Sequence, residues 1–414
     1  MSDVASTRRT RGRAADPGSR SPGRGLLPLM AVAAGLSVAG NYFAQPLLDV
    51  IARQVHLAPS LGGLVVTVAQ VGYGAGLLLL VPLGDLLDRR RLAVLLTALT
   101  AAFLLVTATA TNAAVLLAGT ALTGLTSVAA QVIVPFAASL AEPERRGRAV
   151  GTVMTGLLLG ILLARTASGL LAGAGGWRTV FFVNAGLMAV MAVALHRRLP
   201  SAPPETAGGE RPGYPRLLGS SLALLAREPA LRWRGAMGAL AFGVFSVLWT
   251  ALAFLMSGPP YHWSTSAIGL LGLVGAAGSL SASVTGRLGD RGLVHRVSGI
   301  SAALLLVSWA VLAAGGSGGA WGLVALLAGM LVLDAASQGV HISNQNIVYA
   351  LRPEIRNRLN SVYMTLYFIG GAAGSAGASA LWGLAGWTGV CALGGAMSAA
   401  LVAVWTLDRI LAHR

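Results

Sequence analysis

Apolar positions in this chain fall in long uninterrupted runs rather than alternating with polar ones. Runs of roughly the 20 residues that a helix needs to cross a bilayer lie at about 26–48, 61–83, 92–111, 113–139, 149–173 and 179–196. Six more follow at about 233–256, 267–286, 295–315, 319–345, 359–384 and 388–408. The pattern predicts an all-α integral membrane protein of twelve transmembrane helices in two pseudo-symmetric six-helix bundles, 26–197 and 233–414. Residues 1–25 are polar and Arg-rich and read as a disordered cytoplasmic tail. The stretch 198–232, which contains PSAPPETAGGERPGYP from Pro200 onward, reads as a cytoplasmic linker with a short amphipathic helix along Leu217–Leu231.

The two sets of runs are related. Adding 210 to the numbers of Pro143–Trp177 lands without a gap on Pro353–Trp387, and Glu144, Arg146, Arg148, Met154, Thr155, Gly160, Gly176 and Trp177 meet identical residues. Gly84, Leu86, Asp88 and Arg89 recur 202 positions later as Gly286, Leu288, Asp290 and Arg291. Two offsets near 200 in a 414-residue chain mean homologous halves. Among hydrophobic chains such repeats mark transporters built from two related bundles.

Composition agrees, and charge sets orientation. Charged residues make up only 11% of the chain, too few to coat a soluble fold of this size. The net charge of +16 invites a nucleic-acid reading, but the arginines gather in the tail and in alternate loops. Only Arg53 and Arg178 fall in the opposite loops, and Arg165 lies inside a span. This is the positive-inside pattern, with both termini cytoplasmic in a bacterial-type inner membrane. No basic segment is interleaved with stacking aromatics, so nucleic acid is not an expected partner. The single Cys391 excludes an internal disulfide and a cysteine-based zinc site. The six histidines are scattered, and HExxH, GxSxG and P-loop patterns are absent, so neither an enzyme nor a bound metal or cofactor is expected.

Gly84-Asp85-Leu86-Leu87-Asp88-Arg89-Arg90-Arg91 resembles the signature loop between helices 2 and 3 of the major facilitator superfamily, and Gly286–Arg291 resembles its second copy. Arg91 stands where the family usually has glycine. Asn41–Leu47 (NYFAQPL) and Gly156–Gly169 are similar to the bacterial branch of drug and metabolite:proton antiporters. The Gly-Pro pair that such antiporters often carry in helix 5 is absent. The resemblance implies that Gly84, Asp88, Arg89, Gly286, Asp290 and Arg291 form conformational-switch loops, and that spans 1, 4, 7 and 10 line a central cavity. Physically, Gly84 would permit a close helix approach or a positive φ. Asp88 would meet the positive end of a neighbouring helix dipole and nearby arginines.

Intramembrane ionisable groups are functional candidates by default, because a charge at mid-bilayer costs several kcal/mol. Arg165 lies about sixteen residues into span 5, and its repeat mate is Ser375, so the shared fold does not demand the charge. Asp334 lies about fifteen residues into span 10, and Asp334, Gln338, His341 and Gln345 fall within about 60° of one another on a helix. Arg165, Asp334 and His341 are therefore the proton-coupling candidates, with Arg165 and Asp334 expected to pair across the cavity in one conformation. Further cavity candidates are Asn41 and Gln45, expected on one face at i,i+4, together with Gln70, Tyr73 and Gln131. Trp249, Tyr363 and Tyr367 are candidates for stacking on an aromatic substrate.

The expectation is a monomeric alternating-access transporter, probed by its small-molecule substrate and by protons within the lipid bilayer. Proton-coupled efflux of a small apolar or amphipathic compound leads. Uptake of a small organic anion on Arg165 is the second reading, and a non-transporting sensor on the same fold is the third.

Overall fold

A computed structural model describes residues 25–201, 213–279, 281–352 and 355–412. Most of the Arg-rich tail and residues 202–212 of the linker lie outside the described residues. The first span is split into α1 (Leu26–Ala39) and α2 (Leu48–Gln54), followed by α3 (Leu64–Leu79) and α4 (Arg89–Ala108). The fourth span is α5 (Ala113–Thr126) and α6 (Ala129–Leu140); α7 (Arg146–Gly175) and α8 (Trp177–Arg198) complete the first half. α9 (Tyr214–Arg227) belongs to the linker. The second half comprises α10 (Pro229–Ser257), α11 (Thr265–Ser279), α12 (Ser281–Asp290), α13 (Val294–Ala314), α14 (Gly319–Leu351) and α15 (Arg356–Ala412). α15 carries the last two spans and breaks at Gly386, where φ is 57° and ψ −145°. With α11 and α12 as one span, the described helices give the twelve spans that the apolar runs predict. Outward faces stay apolar, as at Leu95, Val190 and Ile300, the last 62% exposed, which suits a lipid surround.

The internal repeat is visible at its corners. Gly176 and Gly386 both take a positive φ, 81° and 57°, a conformation that costs glycine nothing. The tryptophan that follows each is buried and anchors the corner: Trp177 Nε1 donates to Gln54 Oε1 at 2.8 Å, and Trp387 Nε1 to the Leu312 carbonyl at 2.9 Å. Close helix crossings recur as well. A Cβ on Gly160 would lie 2.2 Å from the Gly35 carbonyl oxygen, and one on Gly370 would lie 2.0 Å from that of Ala239. Only glycine allows backbones to approach so closely.

Two spans are broken where the runs predict continuous helices. Pro46 has no N–H, and its ring collides with the carbonyl four residues earlier. The chain therefore passes through turns at residues 40–44 and a 3₁₀ turn at Gln45–Leu47 before α2 begins. In the fourth span, the Thr126 and Ser127 hydroxyls donate back to Leu122 and Thr123 carbonyls, which bends helices. The Ser127 carbonyl freed by this break accepts from Ser37 Oγ at 2.7 Å. In the linker, Pro229 holds Glu228 extended (φ −116°, ψ 91°). α9 therefore stops at Arg227, short of the predicted Leu231, and α10 starts with proline in its first turn.

The switch loop differs from expectation. Gly84 sits in a 3₁₀ turn, Val81–Asp85, opened by Pro82; its φ is not positive, and a Cβ there would meet only Leu92 Cδ2 at 3.8 Å. Neither reason offered for a glycine applies. Asp88 caps its own helix, α4: its carboxylate accepts from the Arg90 and Arg91 backbone N–H groups at 2.8 and 3.2 Å, and from Ser201 Oγ at 2.5 Å. Its position immediately before Arg89 makes it the N-cap, and the first turn's free N–H groups are nearest to it. In the second copy, a Cβ on Gly286 would meet nothing within 4 Å, Arg291 is exposed, and the side chain of Asp290 lies outside those described.

The halves meet along α7 with α11 and α3 with α15. Direct bonds gather at the end where α7 finishes and α11 begins. Thr166 Oγ1 donates to the Gly269 carbonyl at 3.1 Å, and Ser266 Oγ to that of Gly169 at 3.3 Å. Ser379 Oγ accepts the Gly63 N–H at 2.7 Å, and Ser375 Oγ donates to the Gly63 carbonyl at 3.1 Å. Toward the other end α12 packs on α14 and α13 instead.

Candidate functional site

Gln45, Arg165, Trp249 and Asp334 come together where the halves adjoin. Arg165 projects from α7, and its Nε donates to Gln45 Oε1 at 2.6 Å. Its guanidinium carbon lies 3.9 Å from the centre of the Trp249 ring, 5.0 Å from that of Tyr42 and 5.3 Å from that of Phe245. On the other side of this arrangement, Trp249 Nε1 donates to Asp334 Oδ1 at 3.1 Å. The sequence suggests that Arg165 and Asp334 pair directly in one conformation; in the state described here the Trp249 indole contacts both. Its face takes the cation and its N–H takes the carboxylate, so one side chain partly compensates two buried charges. Desolvation of an ion costs several kcal/mol, and the pocket is full: Arg165, Trp249 and Asp334 are 3%, 3% and 2% exposed.

Three fully buried atoms at this site have no hydrogen-bond partner: Arg165 Nη2, Gln45 Nε2 and Asp334 Oδ2. Buried polar atoms are nearly always paired, so the site holds unused donors and an unused acceptor. α11 makes room for it with glycines three apart. A Cβ on Gly272 would lie 2.9 Å from Arg165 Cβ, and one on Gly275 would lie 2.5 Å from Asp334 Oδ2.

The stripe on α14 continues to His341, whose Nδ1 is 3.1 Å from the Tyr363 hydroxyl and whose ring is 4.5 Å from that of Tyr367. Tyr367 stacks on Phe242 at 4.2 Å, Phe242 on Phe245 at 5.6 Å, and Phe245 adjoins Trp249 at 6.1 Å. A continuous aromatic ladder thus joins the Arg165 pocket to His341. Gln338 is half-buried on the same helix; Gln345 Nε2 reaches Asn360 Oδ1 at 3.5 Å. Gln70 and Tyr73 pack the seam between halves. Gln70 Nε2 donates to Ser246 Oγ at 3.1 Å, and the Tyr73 ring lies 4.4 Å from that of Phe368 while its hydroxyl accepts from Gln131 Nε2 at 3.4 Å.

Asn41 is not part of this group. It lines a small enclosed cavity inside the first half with Thr107, Thr120, Thr123 and Phe181. The helical spacing that would have put it beside Gln45 does not exist, because residues 40–44 are turns. Tyr42 belongs to the Asn41–Leu47 segment singled out in the sequence, whereas Phe245 and the α11 glycines are not picked out there as site residues. The i,i+4 aromatic pair Phe245/Trp249 and the Gly272-Gly275-Gly278 spacing are the signals that carry them.

A family model described as Major Facilitator Superfamily matches residues 30–375. The uncharacterised transporter YgaY of Escherichia coli (strain K12) is 51% identical over 380 residues, which span 92% of this chain and 94% of its own. Among solved structures, the nucleoside transporter NupG superposes with a TM-score of 0.72 at 15% identity, covering 92% of this chain and 98% of that one. The human organic anion transporter MFSD10 (TETRAN) gives 0.66 at 18%, covering 93% and 100%.

Proposed function

The chain belongs to the major facilitator superfamily, and from that premise we propose that it is a proton-coupled exporter of small amphipathic compounds, with its substrate site at Gln45, Arg165, Trp249 and Asp334. The observation that carries this reading is the buried Arg165–Trp249–Asp334 stack. It places one basic and one acidic group on opposite halves and joins them through Trp249, an aromatic ring of the second half. Protonation of Asp334 removes the negative charge behind the indole, and substrate arrival disturbs the cation in front of it. Each event changes what holds the halves together here, and coupling requires that proton and substrate bias two states differently.

With the arginine-rich loops inside, the end closed by Gly63, Gly169, Gly269 and Ser379 is the outer one. On that orientation we read the state as inward-facing, with the aromatic ladder from Trp249 to His341 running toward the cytoplasmic side. Arg165→Ser375 asymmetry across the repeat supports a role for the charge beyond the fold.

One observation favours a second reading. The unpartnered Arg165 Nη2 and Gln45 Nε2 are both donors, a pair suited to a carboxylate, as uptake of a small organic anion requires. Flux into proteoliposomes under an imposed proton gradient separates these outcomes. Export predicts gradient-driven movement of cationic or neutral compounds that is lost in Asp334→Asn while binding of the neutral compounds survives. Undiminished coupled flux in that variant removes Asp334 from the proton path and overturns the proposal. Flux confined to anions and dependent on Arg165 replaces it with the second reading.

A further inference from the structure

Arg165 is surrounded in an unusual way for a buried cation. Three rings, Tyr42, Phe245 and Trp249, lie within 5.3 Å of its guanidinium carbon, while its one side-chain hydrogen bond goes to a neutral amide. Aromatic faces attract any cation of suitable size, so this is a cation cage with an arginine in it. The carboxylate that completes such a seat is one indole away and has an oxygen to spare: Asp334 Oδ2 is unpartnered, and Oδ1 is held by the indole N–H.

We infer that the cage of Tyr42, Phe245 and Trp249 with Asp334 is a seat for an organic ammonium or guanidinium ion, and that Arg165 is its resident, displaceable occupant. The inference deepens the substrate site proposed above and rests on that reading. Since the three central side chains are 2–3% exposed, no ligand enters without something leaving. Of the groups present, Arg165 is the one on a long flexible stem, its Nη2 is buried without a partner, and it is fixed by a single neutral acceptor at Nε.

Charge argues for a cation as the incoming group. Exchange of one cation for another leaves the pocket's balance with Asp334 unchanged. An anion would bring a second negative group beside Asp334, and by drawing Arg165 away would leave three ring faces without a cation. The distribution over the fold also fits. Phe245, Trp249 and Asp334 lie on α10 and α14 of the second half, whereas Arg165 lies on α7 of the first and Tyr42 in the turns before α2. When the halves rock, α7 carries Arg165 away and leaves the second-half part of the seat, Phe245, Trp249 and Asp334, for a ligand. Arg165 then acts as a tethered competitor that refills the seat after release, so the returning protein is not left with an unpaired carboxylate.

Equilibrium binding to the purified full chain tests this without any gradient, so its result is separate from that of the flux measurement. The probes are radiolabelled benzyltrimethylammonium and, as the counter-probe, benzoate. Arg165→Ala should tighten benzyltrimethylammonium binding by about tenfold, the scale of one desolvated cation–π contact, and Arg165→Gln should do the same while keeping a partner for Gln45, so the test survives if the alanine variant does not fold. Adding Trp249→Leu to Arg165→Gln should abolish the gain. Binding of the cation that is unchanged or weaker in both Arg165 variants overturns the inference. So does benzoate binding to the wild type that disappears in both.

Discussion

Asp88 stands in the most family-like loop of the chain, yet its geometry is that of a helix cap, with two backbone N–H groups of α4 at 2.8 and 3.2 Å. Its two roles can be separated by substitution. Asp88→Ala removes the cap and should lower stability by about 1 kcal/mol, whereas Asp88→Asn keeps an acceptor and should lie within a few tenths of wild type; denaturation of the purified protein reads both. Transport lost in the asparagine variant with stability kept would show that the negative charge itself is used. A similar separation applies at Trp249. Trp249→Phe keeps a ring under Arg165 but leaves Asp334 Oδ1 without its donor, at a cost of about 1–3 kcal/mol for a buried polar group. Trp249→Leu loses both contacts, so thermal stability and flux should fall in the order wild type, Phe, Leu. At this scale the sequence is legible where residue type alone decides, as for Arg165 and Asp334. It is not where a side chain's direction depends on a distant break: Pro46 disrupts the helix that would have set Asn41 beside Gln45, and Asn41 turns into the first half instead.

Helices are more legible than side chains because a run of about twenty apolar residues has few alternatives in a bilayer. The predicted runs and the observed helices agree except at α1/α2 and α5/α6, where proline and hydroxyl residues compete with the ladder from inside an apolar run. What the runs cannot show is which helices touch across the halves. That depends on glycines whose purpose appears only when the partner helix is in place. Gly151 has nothing near its missing Cβ, Gly156 and Gly160 lie against α1, and Gly169 lies against Gly269 of α11. A Cβ on Gly269 would approach Gly169 Cα to 2.7 Å, closer than packed atoms allow. Gly269→Leu should therefore disfavour the state described here by about 1–3 kcal/mol, enough to move the population between the two states by roughly 5- to 150-fold. Spin labels at Arg53 on α2 and Trp321 on α14 should show a longer distance in this variant than in the wild-type background. An unchanged distance distribution would mean that the Gly169–Gly269 crossing does not hold this end shut.

For the whole molecule, the arginine distribution and the packing of the halves give independent statements that must agree. The positive-inside rule predicts that the loops bearing Arg89–Arg91, Arg145–Arg148 and the linker lie inside. Packing shows that the opposite end is the one where α3, α7, α11 and α15 are bonded across the halves. If both hold, residues at the end of α14 near Asn346 face the cytoplasm, while Arg53 and Trp321, the latter 86% exposed, face outward. With Cys391 replaced by serine, a cysteine at Trp321 or Arg53 should react with an impermeant maleimide on intact cells, and one at Asn346 only after the membrane is opened. The reverse pattern would invert the molecule and make the same bonded end cytoplasmic. The aromatic ladder from Trp249 to His341 would then open outward, and a seat that exchanges Arg165 for a cation would load from outside in this state. Orientation therefore fixes the side from which this state loads, while the flux measurement fixes the direction of net transport.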